Sequence, residues 1–492
     1  MTGQPLKEHA ARSSQLRTLM RGGGVVAFDG SRHVHLRRGD VVFCGDRIEY
    51  VGPQWAERAD APVHETVDTT GKLVVPGLVN MHLHVTDTPF TRGWLDDYAS
   101  SADASAASNV TALYRLLPAV RAAALAEDQL AAAECAFSEL LLSGSTTVVE
   151  LGYDEEMGDR GDMGTPRSVG DIAGQLGLRC YLAPRYRSCY WKLGPDGAPA
   201  YYSYEGDGQP RMRACVALLG EIDGTYEGRV RAMLAPGQVD TCEPALLRAT
   251  REAADKTGYL IQLHAGQSPS EFRRIRQQHG CTTLEYLDRV GLLGRDLILG
   301  HSMFFSESGD VDDCTSGELQ RLRDSGTHLC HLPWVKARQG TVMHSFAKYR
   351  RHGIPVCLGT DTYPFDMFNE MRMAAAMCRV AEGSPQAVTA AEIFHAATVG
   401  GAQALQRDDL GRLAAGCQAD IVLVDVNRPH AVPLRDAIQH LVLSASAADV
   451  DSVFIAGRRV VDRRELVYGN LRDAVARLAE AGERVDARVR VE

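Results

Sequence analysis

An α/β fold, a (β/α)8 TIM barrel with a small composite β-sandwich, is the class this sequence predicts, and two observations predict it. Between residues 77 and 361 eight short apolar segments are separated by longer helical stretches, the signature of βα units and a parallel sheet. Before residue 76, and again after about 410, the pattern is instead β-rich runs broken by turns.

Residues 25–75 read as short strands, VVAF and then GDVVFCGDRIEYVG with a turn at Asp46. The eight barrel strands fall at 77–84, 146–151, 178–184, 229–236, 259–265, 297–302, 327–333 and 355–361. A helix over 387–405 follows, then the strands IVLVDV and VDSVFIAGRRVV, then an amphipathic, charged helix over about 470–488 that reads as an ordinary solvated helix. The organisation is 1–75 as the N-terminal part of the sandwich, 76–408 as the barrel, and 409–492 as the remainder of the sandwich with the terminal helix.

The 492 residues carry 45% hydrophobic and 24% charged side chains, close to the soluble average. The net charge is −10 and the basic residues are scattered, which argues against a nucleic-acid partner. No 18-residue apolar run and no signal-peptide stretch is present, and the twelve cysteines include no Cys-x-x-Cys pair. These features predict reduced thiols, no membrane association and a cytoplasmic protein.

Chemistry on a barrel of this kind sits where strands end, at the C-terminal face. His82 and His84 end the first strand, His264 the fifth, His301 the sixth and Asp361 the eighth. Residues i and i+2 of a strand point the same way, so His82 and His84 can share one ion. Imidazoles with a carboxylate suit one divalent ion per chain, Zn²⁺ first and Fe²⁺ second. Each residue alone is a weak signal; their coincidence at one face is the strong one.

The segments VVPGLVNMHLH (74–84), LHAGQ (263–267), LILGHSMFF (297–305), HLPW (331–334), VCLGTDTYPFDMFNEMR (356–372) and LGRLAAGCQADIVLVD (410–425) resemble the amidohydrolase superfamily. Within it they are most similar to cytosine deaminase-like and triazine chlorohydrolase-like metal-dependent hydrolases. The resemblance implies His82, His84, His264 and Asp361 as metal ligands, His301 as a catalytic histidine, and a homodimer by family habit.

Two departures qualify it. Where those branches usually carry Glu, three residues after the fifth-strand His, this chain has Gln267, which cannot act as a general acid. The fourth strand ends in MLAPGQVD without the lysine of binuclear members, which favours a single ion. The reading is therefore a mononuclear hydrolase of a non-peptide C–N bond, of amide, cyclic amide, urea or carbamate type, in a small polar nitrogen-containing compound. The alternative is a deaminase or dechlorinase of an N-heterocycle; a non-catalytic binding protein is the third reading. An ion lowers the pKa of a water from about 15.7 toward 7. Asp361 would move its proton to the leaving group, His301 would hydrogen-bond hydroxide or substrate oxygen, and Gln267 would orient substrate.

Strand-end position nominates Tyr153, Arg185, Tyr186 and Gln238 for the substrate pocket. A lid over 86–100 would carry Trp94 and Tyr98, and Trp334, Lys336 and Arg338 would meet an anionic or strongly polar group. Tyr363 and Asp366 follow the strand-end aspartate, Glu370 and Arg372 suggest a helix pair, and His331 suggests a substrate-side or supporting role.

Overall fold

The computed structural model describes residues 16–56, 61–93, 115–152, 163–194 and 199–490. Eight parallel strands form the barrel: β1 (Leu78–Leu83), β2 (Ser145–Glu150), β3 (Arg179–Leu182), β4 (Val230–Pro236), β5 (Leu260–Ala265), β6 (Leu297–His301), β7 (His328–His331) and β8 (Val356–Leu358). Each coincides with a segment predicted from hydropathy. The barrel closes where the amide of Asp361 donates to the carbonyl of His82 at 2.8 Å, beside a parallel bridge between Leu83 and Asp361.

Alternation along the strands divides two cores. Val149, Tyr181, Met233, Ile298, Cys330 and Cys357 pack together in the barrel interior. Their neighbours, among them Val148, Leu234, Leu263, Leu299 and Leu329, join helix residues such as Phe137, Leu218, Leu246 and Ile275 in the outer layer.

The two chain ends build a β-sandwich. One sheet runs in the order Arg47–Gly52, Asp40–Cys44, Arg17–Arg21, Glu65–Asp68. The other joins the early strands Gly24–Phe28 and Lys72–Pro76 to the late strands Ile421–Asp425 and Val450–Ile455, through antiparallel pairing of Lys72–Pro76 with Ile421–Asp425. Met20, Val41, Phe43, Ile48, Val74, Leu413, Ile421 and Phe454 fill the space between. Arg179 of β3 reaches the sandwich through a two-pronged, buried contact with Asp420, 3.1 Å on each prong.

Three features differ from the sequence expectation. Arg17–Arg21 is a strand. The stretch expected as one helix over 387–405 is two, Ala390–Ala396 and Val399–Ala404, because Thr398 leaves helical geometry and its hydroxyl bonds the Phe394 carbonyl. An antiparallel hairpin, Cys189–Leu193 with Pro199–Ser203, stands between β3 and β4. The terminal helix, Leu471–Arg488, docks on the helix Ala126–Leu142, where Arg484 and Arg488 both donate to the buried Asp128. No described helix is long and apolar enough to cross a membrane.

Candidate active site

His82 lies within, and His84 just after, a register shift of β1 against β2 between Asn80 and Leu83. Their rings stand 5.2 Å apart, centroid to centroid. His264 lies on the inward parity of β5. His301 does not: Leu297 and Leu299 of the same strand face the helices. Its positive φ of 72° swings the ring inward, to 5.4 Å from His82 and 5.5 Å from His264. Asp361, with φ 60°, is a second non-glycine residue held in the left-handed region. Such backbone costs about 1–2 kcal/mol per residue and persists only where surroundings enforce it.

The five side chains meet at the barrel's C-terminal mouth. Nε2 of His264 lies 3.1 Å from Nε2 of His82 and 3.3 Å from Nε2 of His84. Oδ1 of Asp361 lies 3.5 Å from His82 Nε2 and 3.4 Å from His84 Nε2. Two backbone carbonyls set the tautomers: Nδ1 of His84 donates to Leu151 at 2.8 Å and Nδ1 of His264 donates to Gly237 at 2.7 Å. In the neutral rings both Nε2 atoms are then bare lone pairs, aimed at each other and, for His84, at a carboxylate as well. Both ring nitrogens of His301 are buried without a hydrogen-bond partner.

Burial lowers the His82 imidazole to about 4, and lowers His264 and His301 well below the ordinary range. Burial pushes Asp361 up, but the histidines around it, His301 first and then His82 and His84, outweigh it and hold the carboxyl well below its usual value. Neutral imidazoles around an ionised carboxylate repel at their lone pairs unless a cation sits among them. The residues therefore fit a metal ion: ligand atoms of His82, His84 and Asp361, and of His82, His264 and His301, cluster within 4.8 Å.

Glycines make the room. A Cβ at position 300 would stand 2.6 Å from Cε1 of His82, and one at position 359 would stand 2.7 Å from the His82 amide. Neither glycine was singled out from the sequence, because their constraint lies across the barrel.

A pocket opens over the cluster. Its described wall includes His84, His264, Asp361, Gln238, Gln267, Lys336, Arg338 and Arg185, together with Asp87, Arg121 and Trp191. Arg121 pairs with Asp87 at 2.7 Å, and Nε of Arg185 donates to the Gly152 carbonyl at 2.6 Å. Gln238 donates to Glu271 at 3.2 Å. Glu271 also accepts the amides of Gly266 at 2.6 Å and Gln267 at 3.2 Å, which anchors the turn after β5.

Other nominated residues lie elsewhere. His331 is buried with its ring 5.5 Å from Phe346. The Trp334 amide donates to Glu370 at 3.0 Å, so Glu370 supports that turn rather than pairing with Arg372, which donates to the carbonyls of Leu443 and Ala445. Tyr363 donates to the Thr91 carbonyl at 3.1 Å and carries the Arg338 guanidinium over its ring at 4.4 Å. Tyr186 donates to Thr250, and Asp366 caps a helix by accepting the amides of Phe368 and Asn369. Trp94, Tyr98 and Tyr153 lie outside the described residues. Trp191, Asp87 and Arg121 were not foreseen; the paired aromatics in CYWKL and PAYYS were the available signal for the hairpin that carries Trp191.

Known proteins resemble this chain over most of its length. A 5-methylthioadenosine/S-adenosylhomocysteine deaminase of Pelotomaculum thermopropionicum is 28% identical over 471 residues, spanning 95% of this chain and 97% of that protein. A protein of the same description from Halobacterium salinarum is 30% identical over 435 residues, 87% of this chain and 90% of that one. The fold is shared with an adenosine deaminase from Xanthomonas campestris with bound zinc (TM-score 0.79, 24% identity, 96% of this chain and 99% of that one). It is shared also with an atrazine chlorohydrolase from Arthrobacter aurescens complexed with zinc (TM-score 0.80, 22% identity, 94% and 100%). Residues 73–460 match the amidohydrolase family, and with that match across most of its length the chain belongs to the amidohydrolase family.

Proposed function

We propose that this protein is a mononuclear, metal-dependent hydrolase of a non-peptide C–N bond in a small polar, nitrogen-containing compound. The observation that carries the reading is the convergence of the His84 and His264 lone pairs, tautomers set by backbone carbonyls, to 3.3 Å of each other, with the Asp361 carboxylate 3.4 Å from that of His84. His82, His84, His264 and Asp361 would hold the ion, and zinc is favoured because structural neighbours are described with it. When bound, the ion supplies Lewis acidity and a nucleophile near neutral pH.

The chain's own residues do the rest. Asp361 takes the proton of the attacking water and delivers it to the departing nitrogen. His301, whose ring nitrogens have no protein partner, hydrogen-bonds the oxygen on which charge develops. Gln267, Gln238 and Lys336 hold the substrate from the wall. Deamination of an N-heterocycle is the second reading, favoured by the deaminase descriptions of the relatives. The reading keeps three organisational expectations: a barrel bounded near residues 76 and 408, a homodimer, and cytoplasmic residence on the strength of twelve unpaired cysteines.

The test is elemental analysis of the purified chain with hydrolysis of a panel of amides, ureas, cyclic amides and aminated or chlorinated heterocycles, with and without chelator. About one zinc per chain and chelator-sensitive release of amine, ammonia or acid is the expected result. A chain that binds no metal after metal-replete expression overturns the reading.

A further inference from the structure

Lys336 comes from the short helix Pro333–Arg338 that follows β7, and it is 5% exposed. It stands on the pocket wall with His84, His264 and Asp361. Its ammonium donates to the Gln267 backbone carbonyl at 3.1 Å and to Oε1 of Gln339 at 3.3 Å. Both acceptors are neutral, and an ammonium has three N–H donors. Burying a cation against neutral partners is unfavourable, and burial pulls the Lys336 ammonium down to about 8 although Asp361 and Glu271 oppose it. A polarised or negatively charged oxygen entering the pocket relieves that cost.

Gln267 shares the wall. Its backbone is pinned on both sides, the amide donating to Glu271 at 3.2 Å and the carbonyl accepting from Lys336. Its side-chain Oε1 is nonetheless buried without a hydrogen-bond partner. An unmet buried acceptor costs about 1–3 kcal/mol, so an N–H from a ligand is selected for.

A cationic donor and an unmet amide acceptor on one wall are complementary to an oxygen beside an N–H. We propose that Lys336 and Gln267 read the lactam or imide edge of the substrate, making it an oxo-substituted azaheterocycle or cyclic ureide; this rests on the hydrolase reading above. A carboxylate or phosphate satisfies Lys336 but leaves Gln267 Oε1 unmet. An aminated or chlorinated ring lacking oxygen offers Lys336 only an uncharged ring nitrogen, a weaker acceptor for a cation than a polarised or anionic oxygen. A lactam edge serves both.

The test is calorimetric binding to the metal-loaded full chain with three probes. These are barbiturate, 1,3-dimethylbarbiturate (the oxygens without N–H) and 2,4,6-triaminopyrimidine (N–H without oxygen). Barbiturate is expected to bind about tenfold or more tightly than its dimethyl analogue, a preference that Gln267→Leu abolishes. Lys336→Met should weaken both barbiturates by about 10- to 100-fold and triaminopyrimidine much less, and Lys336→Arg should recover part of the loss. The proposal is overturned if barbiturate does not bind, if Lys336→Met with a parental melting temperature binds it unchanged, or if both lysine variants weaken all three probes alike. Chelator-sensitive turnover is followed in parallel. Hydrolysis without barbiturate binding removes the edge assignment and leaves the hydrolase reading; barbiturate binding without any hydrolysis does the reverse.

Discussion

Gly300 lies beneath the His82 imidazole so closely that a side chain of even one carbon there would stand 2.6 Å from its Cε1. The clash falls on a ring already held at 3.1 Å from His264 and 3.1 Å from the Gln262 amide, so it has no free direction in which to yield.

Gly300→Ala is therefore expected to cost about 1–3 kcal/mol of stability, the usual range for overpacking, and to lower metal content as His82 is displaced. Thermal unfolding with elemental analysis checks both; an alanine variant with parental metal content would show that the ring can shift without loss.

Asp361→Asn keeps the size of the side chain and the backbone bond to His82 but removes the base. Turnover should fall by about a hundredfold or more, the scale of general acid–base contributions. Near-parental kcat in this variant would take Asp361 out of proton transfer.

Replacing Gln267 by Glu puts a titratable carboxyl where the wall has an unmet acceptor. We expect kcat/KM for aminated heterocycles to rise by about a hundredfold, with loss of the parental substrate. Efficient deamination by the unaltered chain would mean that the carboxyl is not needed.

Burial, with Asp240 adding to it, raises the Glu271 carboxyl to about 8, against the pull of the Gly266 and Gln267 amides. A folded-state value above the unfolded one means that the neutral carboxyl's contribution is complete below about pH 4.5 and lost as pH rises through about 8. The parent's melting temperature should thus fall between about pH 5 and 9 more steeply than that of Glu271→Gln. Parallel profiles for the two would reject the assignment.

The barrel was legible because each strand is a short apolar run with a polar boundary, and strand ends locate the mouth whatever the helices do. His82, His84, His264 and Asp361 were therefore placed at one face from position alone. The orientation of His301 was not readable, since strand parity turns it outward and a positive φ brings it back. The hairpin bearing Trp191 was missed because its strands, CYWKL and PAYYS, set aromatic residues side by side with neither an aliphatic run nor a period-two pattern. Arg121 and Asp87 meet only through tertiary folding, and no local pattern announces such a pair.

The bond that closes the barrel, from the Asp361 amide to the His82 carbonyl, has a kinetic meaning. It joins the first strand to the last, a pairing of high sequence separation of the kind that forms slowly. A nascent chain that has emerged only through β7 holds all four site histidines but neither the carboxylate nor the closing bond. Ion capture would then be a late event of biogenesis, and loading with metal would distinguish chains that have finished folding from those that have not.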